Sequence, residues 1–104
     1  MRSPSDCQTM TELRTEIDRL DKALVALLVE RAAFIDRAAQ LKPVEGLPAR
    51  IGPRVAEVLS NVERLAQEGG LDPALARALW TQIIEWSIAR EERVMGPDTE
   101  RSDP

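Results

Sequence analysis

The 104-residue sequence contains no histidine and a single cysteine, Cys7. Without imidazoles or paired thiolates, the usual ligands of zinc and other transition metals are missing, so no metal is expected. One cysteine also rules out an internal disulfide framework. Aromatic residues make up 3 % of the chain against 43 % apolar residues overall, so a core has to be built from Leu, Ile, Val and Ala. Basic runs are absent too, and the net charge is −4. Phosphate binding needs a basic patch, which makes nucleic acid a poor partner. No apolar run is long enough for a signal peptide or a membrane span. The expected location is the cytoplasm, with no membrane partner.

What the chain does have is helical periodicity. Leu13, Ile17, Leu20, Leu24, Leu27, Leu28, Ile35 and Ala38 recur at the 3.6-residue spacing of one helix face. A first helix is expected from Thr11, as N-cap, to Lys42, where Pro43 disfavours helical geometry in the residue before it. "PVEGLPARIG" reads as a loop. Pro53 then opens a second helix whose apolar face is Val55, Val58, Leu59, Val62, Leu65 and Ala66, ended by "GG". Asp72 and Pro73 cap and open a third, with Ala76, Trp80, Ile83, Ile84, Ser87 and Glu91 in line, stopped by "GP" at 96–97. The expectation is an all-α chain. It has a flexible lead over 1–9, a helical domain over 10–96 and a disordered, polar tail over 97–104.

The first helix is too long for one small globule. About 32 residues at a rise of ~1.5 Å make a rod of roughly 48 Å, whereas a compact chain of this size is about 34 Å across. Two shorter helices do not cover such a stripe. A second copy is expected, with the long helices packed against each other in a homodimer.

Charges stand inside the apolar stripes. On a helical wheel Arg31 and Lys42 fall almost at the centre of the first stripe, and Ser87 and Glu91 fall in line with Trp80 and Ile84 on the third helix. A buried, unpartnered charge costs several kcal/mol. Arg31 or Lys42 therefore pairs with Glu91 or snorkels to solvent, or a small anion in the core balances the surplus of cations. Arg14 precedes Arg31 by roughly 25 Å along the axis and cannot reach the same small molecule on its own chain. It is either an ordinary surface arginine or, across an antiparallel helix pair, a contributor to the partner's pocket. Arg54 opens the second helix, where the helix dipole disfavours a cation unless an anion is bound. Otherwise it is a solvated first-turn residue.

Taken together, "LRTEIDRLDKALVALLVERAAFIDRAAQLK", "PRVAEVL" and "GGLDPALARALWTQIIEWSIARE" resemble the all-helical chorismate mutase family over roughly residues 10–95. The resemblance implies an intertwined dimer of three-helix chains with shared pockets. Arg14 would enter the partner's site, while Arg31, Lys42 and Arg54 serve their own, with Ser87 and Glu91 facing the substrate. It also implies arginines that hold the two carboxylates of a folded dianion. Lys42, with the polar residue at 91, would flank the ether oxygen as its bond breaks. No metal, cofactor or covalent intermediate is implied. Such chemistry suits the residue types, since it needs a constrained dianion and cations aimed at growing negative charge.

Two departures stand out. The commoner family residue at 91 is glutamine, which always donates, whereas Glu91 donates only when protonated. Many mutases also carry a glutamate at the position of Val55, to hold the ring hydroxyl. Its absence, with "SPSDC", "PRVA" and "IIEWSIA", resembles isochorismate-pyruvate lyase, a relative on the same fold. The first reading is a chorismate mutase, feeding aromatic amino acid synthesis. The second is the lyase, feeding salicylate-derived metabolites. The third is a non-catalytic helical dimer that binds a partner or a metabolite.

Overall fold

Pro and Gly divide the chain much as its punctuation implies. The structure, a computed structural model, describes residues 2–96. A 3₁₀ turn over Pro4–Asp6 precedes three helices: α1 (Met10–Val44), α2 (Gly52–Gly69) and α3 (Pro73–Met95). Among the described residues there is no strand, and the fold is all-α with one very long N-terminal helix. The expected disordered tail, 97–104, lies outside the described residues. The chain divides into two compact units, Met1–Ala33 and Phe34–Pro104, with α1 running through the boundary.

In the first unit the start of α1 is capped by Thr9, not by Thr11. Thr9 Oγ1 accepts from the Glu12 backbone N–H at 3.1 Å, and the Glu12 carboxylate accepts from Gln8 N–H at 2.8 Å. The segment Thr9–Glu12 is thus a T-x-x-E capping pattern that satisfies two donors. Within the lead expected to be flexible, the Ser3 N–H donates to Asp6 Oδ2 at 3.2 Å, and hydrogen bonds from the Ser3 side chain and then from this N–H hold the Asp6 carboxyl below its ordinary value. The apolar stripe of this unit is open: Ile17, Leu20, Leu24 and Leu28 are 44–58 % exposed.

In the second unit α1 continues two residues past Lys42. Pro43 sits in its last turn, and the end is closed by a Schellman motif. Leu47 N–H donates to the Lys42 carbonyl at 2.8 Å and Gly46 N–H to the Pro43 carbonyl at 3.2 Å. Gly46 takes the left-handed φ of 72° that this motif requires. The same device ends α2, with Leu71 N–H on the Ala66 carbonyl at 2.8 Å and Gly70 at φ 85°. Asp72 accepts from Ala74 N–H at 2.9 Å and starts α3 as its N-cap.

The antiparallel α2 and α3 enclose the core. Ala49, Ile84 and Ile88 are buried, with Val55, Val58, Leu59, Trp80 and Met95 packed around them. Fully burying an isoleucine contributes about 1.5–3 kcal/mol, so Ile84 and Ile88 anchor this unit. Ala66 and Ala76 are also buried, whereas Leu65, read as part of the α2 face, is 55 % exposed. Ala66, one residue on, takes the buried position.

Candidate active site

The last turn of α1 and the C-terminal half of α3 bring together the polar groups of the second unit. Ser87 and Glu91 are one turn apart on the α3 face that carries Ile84 and Ile88, so helical spacing alone delivers them to the core. They are 4 % and 3 % exposed. Lys42 meets Glu91 from α1: its Nζ donates to Glu91 Oε1 at 2.5 Å and to the Ala49 carbonyl at 2.6 Å. The Schellman turn folds the chain back after Lys42, and the buried Ala49 that follows presents its carbonyl to the ammonium. Of the alternatives open from sequence, pairing with Glu91 is therefore the one Lys42 adopts.

Burying such a pair costs desolvation, which the mutual attraction and the extra acceptor at Ala49 offset. The Glu91 carboxylate and the Ala49 carbonyl engage two of the three N–H donors of the ammonium. The Ser87 hydroxyl donates to the Ile83 carbonyl at 2.7 Å, which turns its oxygen back along its own helix.

The other expected site residues are placed differently. Arg54 stands exposed in the first turn of α2, where its guanidinium pairs with Glu57. Arg14 and Arg31 belong to the first unit, Arg14 exposed and Arg31 half-buried. Val55 packs against the apolar core of the second unit.

Two forked ion pairs were not anticipated from the sequence. Arg90 donates from Nε to Asp36 Oδ1 at 2.5 Å and from Nη2 to Oδ2 at 2.9 Å, with its guanidinium 5.2 Å from the Trp86 ring centroid. Arg90 holds the Asp36 carboxyl below its ordinary value, chiefly through these hydrogen bonds, and Asp36 raises Arg90 in return. Arg50 makes the second fork, to Glu85 at 2.9 and 2.5 Å, and depresses the Glu85 carboxyl in the same way. The Trp86–Arg90 spacing (i, i+4) was a readable signal. The acidic partners 54 and 35 residues away were not. Among the described residues no group of three or more Cys, Asp or Glu side chains is arranged to hold a metal ion, and no helix is long and apolar enough to cross a membrane.

Comparison with known proteins gives this polar cluster a context. Residues 13–92 match the family described as chorismate mutase type II. The isochorismate pyruvate lyase of Pseudomonas aeruginosa is 37 % identical over 92 residues, covering 88 % of this chain and 89 % of that protein. The bifunctional chorismate mutase/prephenate dehydratase of Aquifex aeolicus is 32 % identical over 90 residues, 84 % of this chain but 25 % of that protein. The 4-amino-4-deoxychorismate mutase of Streptomyces pristinaespiralis is 33 % identical over 80 residues, 77 % of this chain and 62 % of that protein. With a family match over most of its length and a relative of matching extent, this chain belongs to the chorismate mutase type II family and is an enzyme.

Proposed function

We propose that the enzyme rearranges chorismate to prephenate, working as a homodimer with shared pockets. The observation that carries this reading is Lys42, its ammonium held between the buried Glu91 carboxylate and the Ala49 carbonyl. In the rearrangement an ether C–O bond breaks as a C–C bond forms within one molecule, and negative charge grows on the ether oxygen. A fixed ammonium aimed at that oxygen stabilises the transition state more than the ground state.

Arg31 and Arg54 of the same chain and Arg14 of the second chain would hold the two carboxylates, since guanidinium forks match them bidentately. Held so, the floppy dianion starts near its reactive shape. The exposed stripe Ile17, Leu20, Leu24 and Leu28 supports the dimer, because a second copy of α1 would cover it. Ser87 and Glu91 would face the substrate from α3.

One observation favours a second reading. Val55 packs into the apolar core and offers no group to a ring hydroxyl, which suits isochorismate, split into salicylate and pyruvate by a pericyclic path in the same cationic pocket. Incubating the purified protein with each substrate separately decides between them. Prephenate from chorismate supports the mutase, and salicylate with pyruvate from isochorismate supports the lyase. Neither product would support the non-catalytic binding role instead.

A further inference from the structure

The Lys42–Glu91 contact depends on where α3 sits against the end of α1, and a second attachment between the same two helices lies beside it. Arg90 precedes Glu91 on α3 and forks onto Asp36, which stands six residues before Lys42 on α1. Ala39, midway between Asp36 and Lys42 in sequence, is 3 % exposed, so α1 is closely covered between its two tie points. Adjacent residues of α3 point about 100° apart around its axis, so Arg90 and Glu91 engage α1 in two directions.

We infer that Asp36 and Arg90 are a positioning pair for the active site, a reading that rests on the proposed function. One attachment between two helices leaves rotation free, whereas two attachments at different heights and azimuths fix both rotation and slide. The sensitivity is large: a 20° rotation of α3 moves a side-chain tip at a radius of about 5–6 Å by about 2 Å. That shift breaks a hydrogen bond of 2.5 Å between Lys42 and Glu91.

The chemistry of the pair fits alignment better than stability. Both side chains are partly exposed, 39 % for Arg90 and 48 % for Asp36, and ion pairs at such positions add little to folding. Their two parallel hydrogen bonds nevertheless impose a defined angle. The guanidinium is further held over the Trp86 ring of its own helix, which stiffens the Arg90 side chain and so the helix-to-helix fork. Neither Asp36 nor Arg90 need touch the substrate.

The test compares Arg90→Gln, Asp36→Asn, the conservative Arg90→Lys and the exchange Asp36→Arg/Arg90→Asp in the full chain. Four quantities are read: kcat and KM on the substrate the wild type consumes, helicity by circular dichroism, and the NMR signal of the Lys42 ammonium. The single substitutions are expected to lower kcat about 10- to 100-fold with KM changed less than about 3-fold, the penalty of an ångström-scale misplacement. Helicity stays unchanged and the Lys42 signal shifts. Arg90→Lys retains the charge without the fork and falls between, and the exchange recovers part of the loss. An unchanged kcat and Lys42 signal in Arg90→Gln overturns the inference, as does activity lost only in step with helicity. If the wild type consumes neither substrate while Arg90→Gln still shifts the signal, the proposed function fails and the positioning role stands.

Discussion

Lys42 and Glu91, 49 residues apart in sequence, meet at 2.5 Å between the last turn of α1 and the buried face of α3. The Glu91 side chain is 4 % exposed and that of Lys42 19 %, so the carboxylate depends on the ammonium far more than the reverse. Buried charge of this kind is costly to break. It joins the helix ends that carry the candidate chemistry.

Removing the cation should therefore expose the cost of the stranded acid. Lys42→Ala is expected to lower unfolding free energy by about 3 kcal/mol, the low end for a broken buried pair because Lys42 keeps some solvent contact. Adding Glu91→Gln should return a good part of that loss, since a neutral amide is cheaper to bury alone. Urea unfolding of the two variants measures it, and a loss below about 1 kcal/mol in Lys42→Ala contradicts a closely coupled pair.

Glu91→Gln tests what position 91 gives the substrate. A carboxylate accepting from Lys42 has no proton to give an ether oxygen, whereas an amide N–H always donates. At fixed pH the variant should keep or raise kcat, read by steady-state assay on the substrate the wild type consumes. A kcat lowered more than about 10-fold would mean that the carboxylate is needed to hold Lys42 in place.

Much of the helical plan was legible because turn chemistry is local. Pro53, Asp72–Pro73 and the glycine end of α2 all act within a few residues, and each marks a boundary to within two, whereas Pro43, expected to stop α1, lies inside its last turn. Thr9 was readable as well, through its T-x-x-E spacing to Glu12, but Thr11 drew the reading by its nearness to Leu13. Lys42, Ser87 and Glu91 stood out as polar groups inside apolar stripes, and the structure buries Ser87 and Glu91 and pairs Glu91 with Lys42. What could not be read was anything set by the azimuth of one helix against another. The Asp36–Arg90 and Arg50–Glu85 forks arise only once α3 has docked, and Leu65 falls outside the buried arc of α2 by one residue.

Those two forks contribute modestly to the acid sensitivity of the fold, beside the likewise lowered Asp6 and Glu16 carboxyls. Asp36 and Glu85 both have folded-state pKa values below their ordinary ones, through the hydrogen bonds of Arg90 and Arg50. Such groups stabilise the protein above the unfolded-state carboxylate values, near 4, and the benefit is lost as pH falls through the lower folded values. Melting temperature should hold steady from pH 8 to 5 and decline below about pH 4. Asp36→Asn/Glu85→Gln should weaken that decline, as should high salt, which screens exposed pairs. An identical decline in the double variant would assign the acid sensitivity elsewhere.

The proposed sharing of pockets between two chains predicts complementation. Arg14→Ala and Lys42→Ala should each be inactive alone. In a hybrid dimer one pocket regains an intact Arg14 from one chain and an intact Lys42 from the other. Mixing the two variants under exchange conditions should restore about a quarter of wild-type activity, because about half the dimers are hybrids with one working pocket each. Absence of recovery from a mixture shown to exchange subunits would place both residues in a pocket of one chain, or outside it.

Single-turnover kinetics of Lys42→Gln against wild type, with chorismate and with isochorismate, bear most directly on the chemistry. Glutamine is one bond shorter but keeps a hydrogen-bond donor near Glu91, and it removes the positive charge on which the proposed role of Lys42 rests. With fold and substrate affinity monitored in parallel, the wild type should convert chorismate to prephenate, and the variant should be slower by about 10²- to 10³-fold, the usual cost of one electrostatic donor. A variant that turns over substrate at the wild-type rate would contradict the role assigned to Lys42.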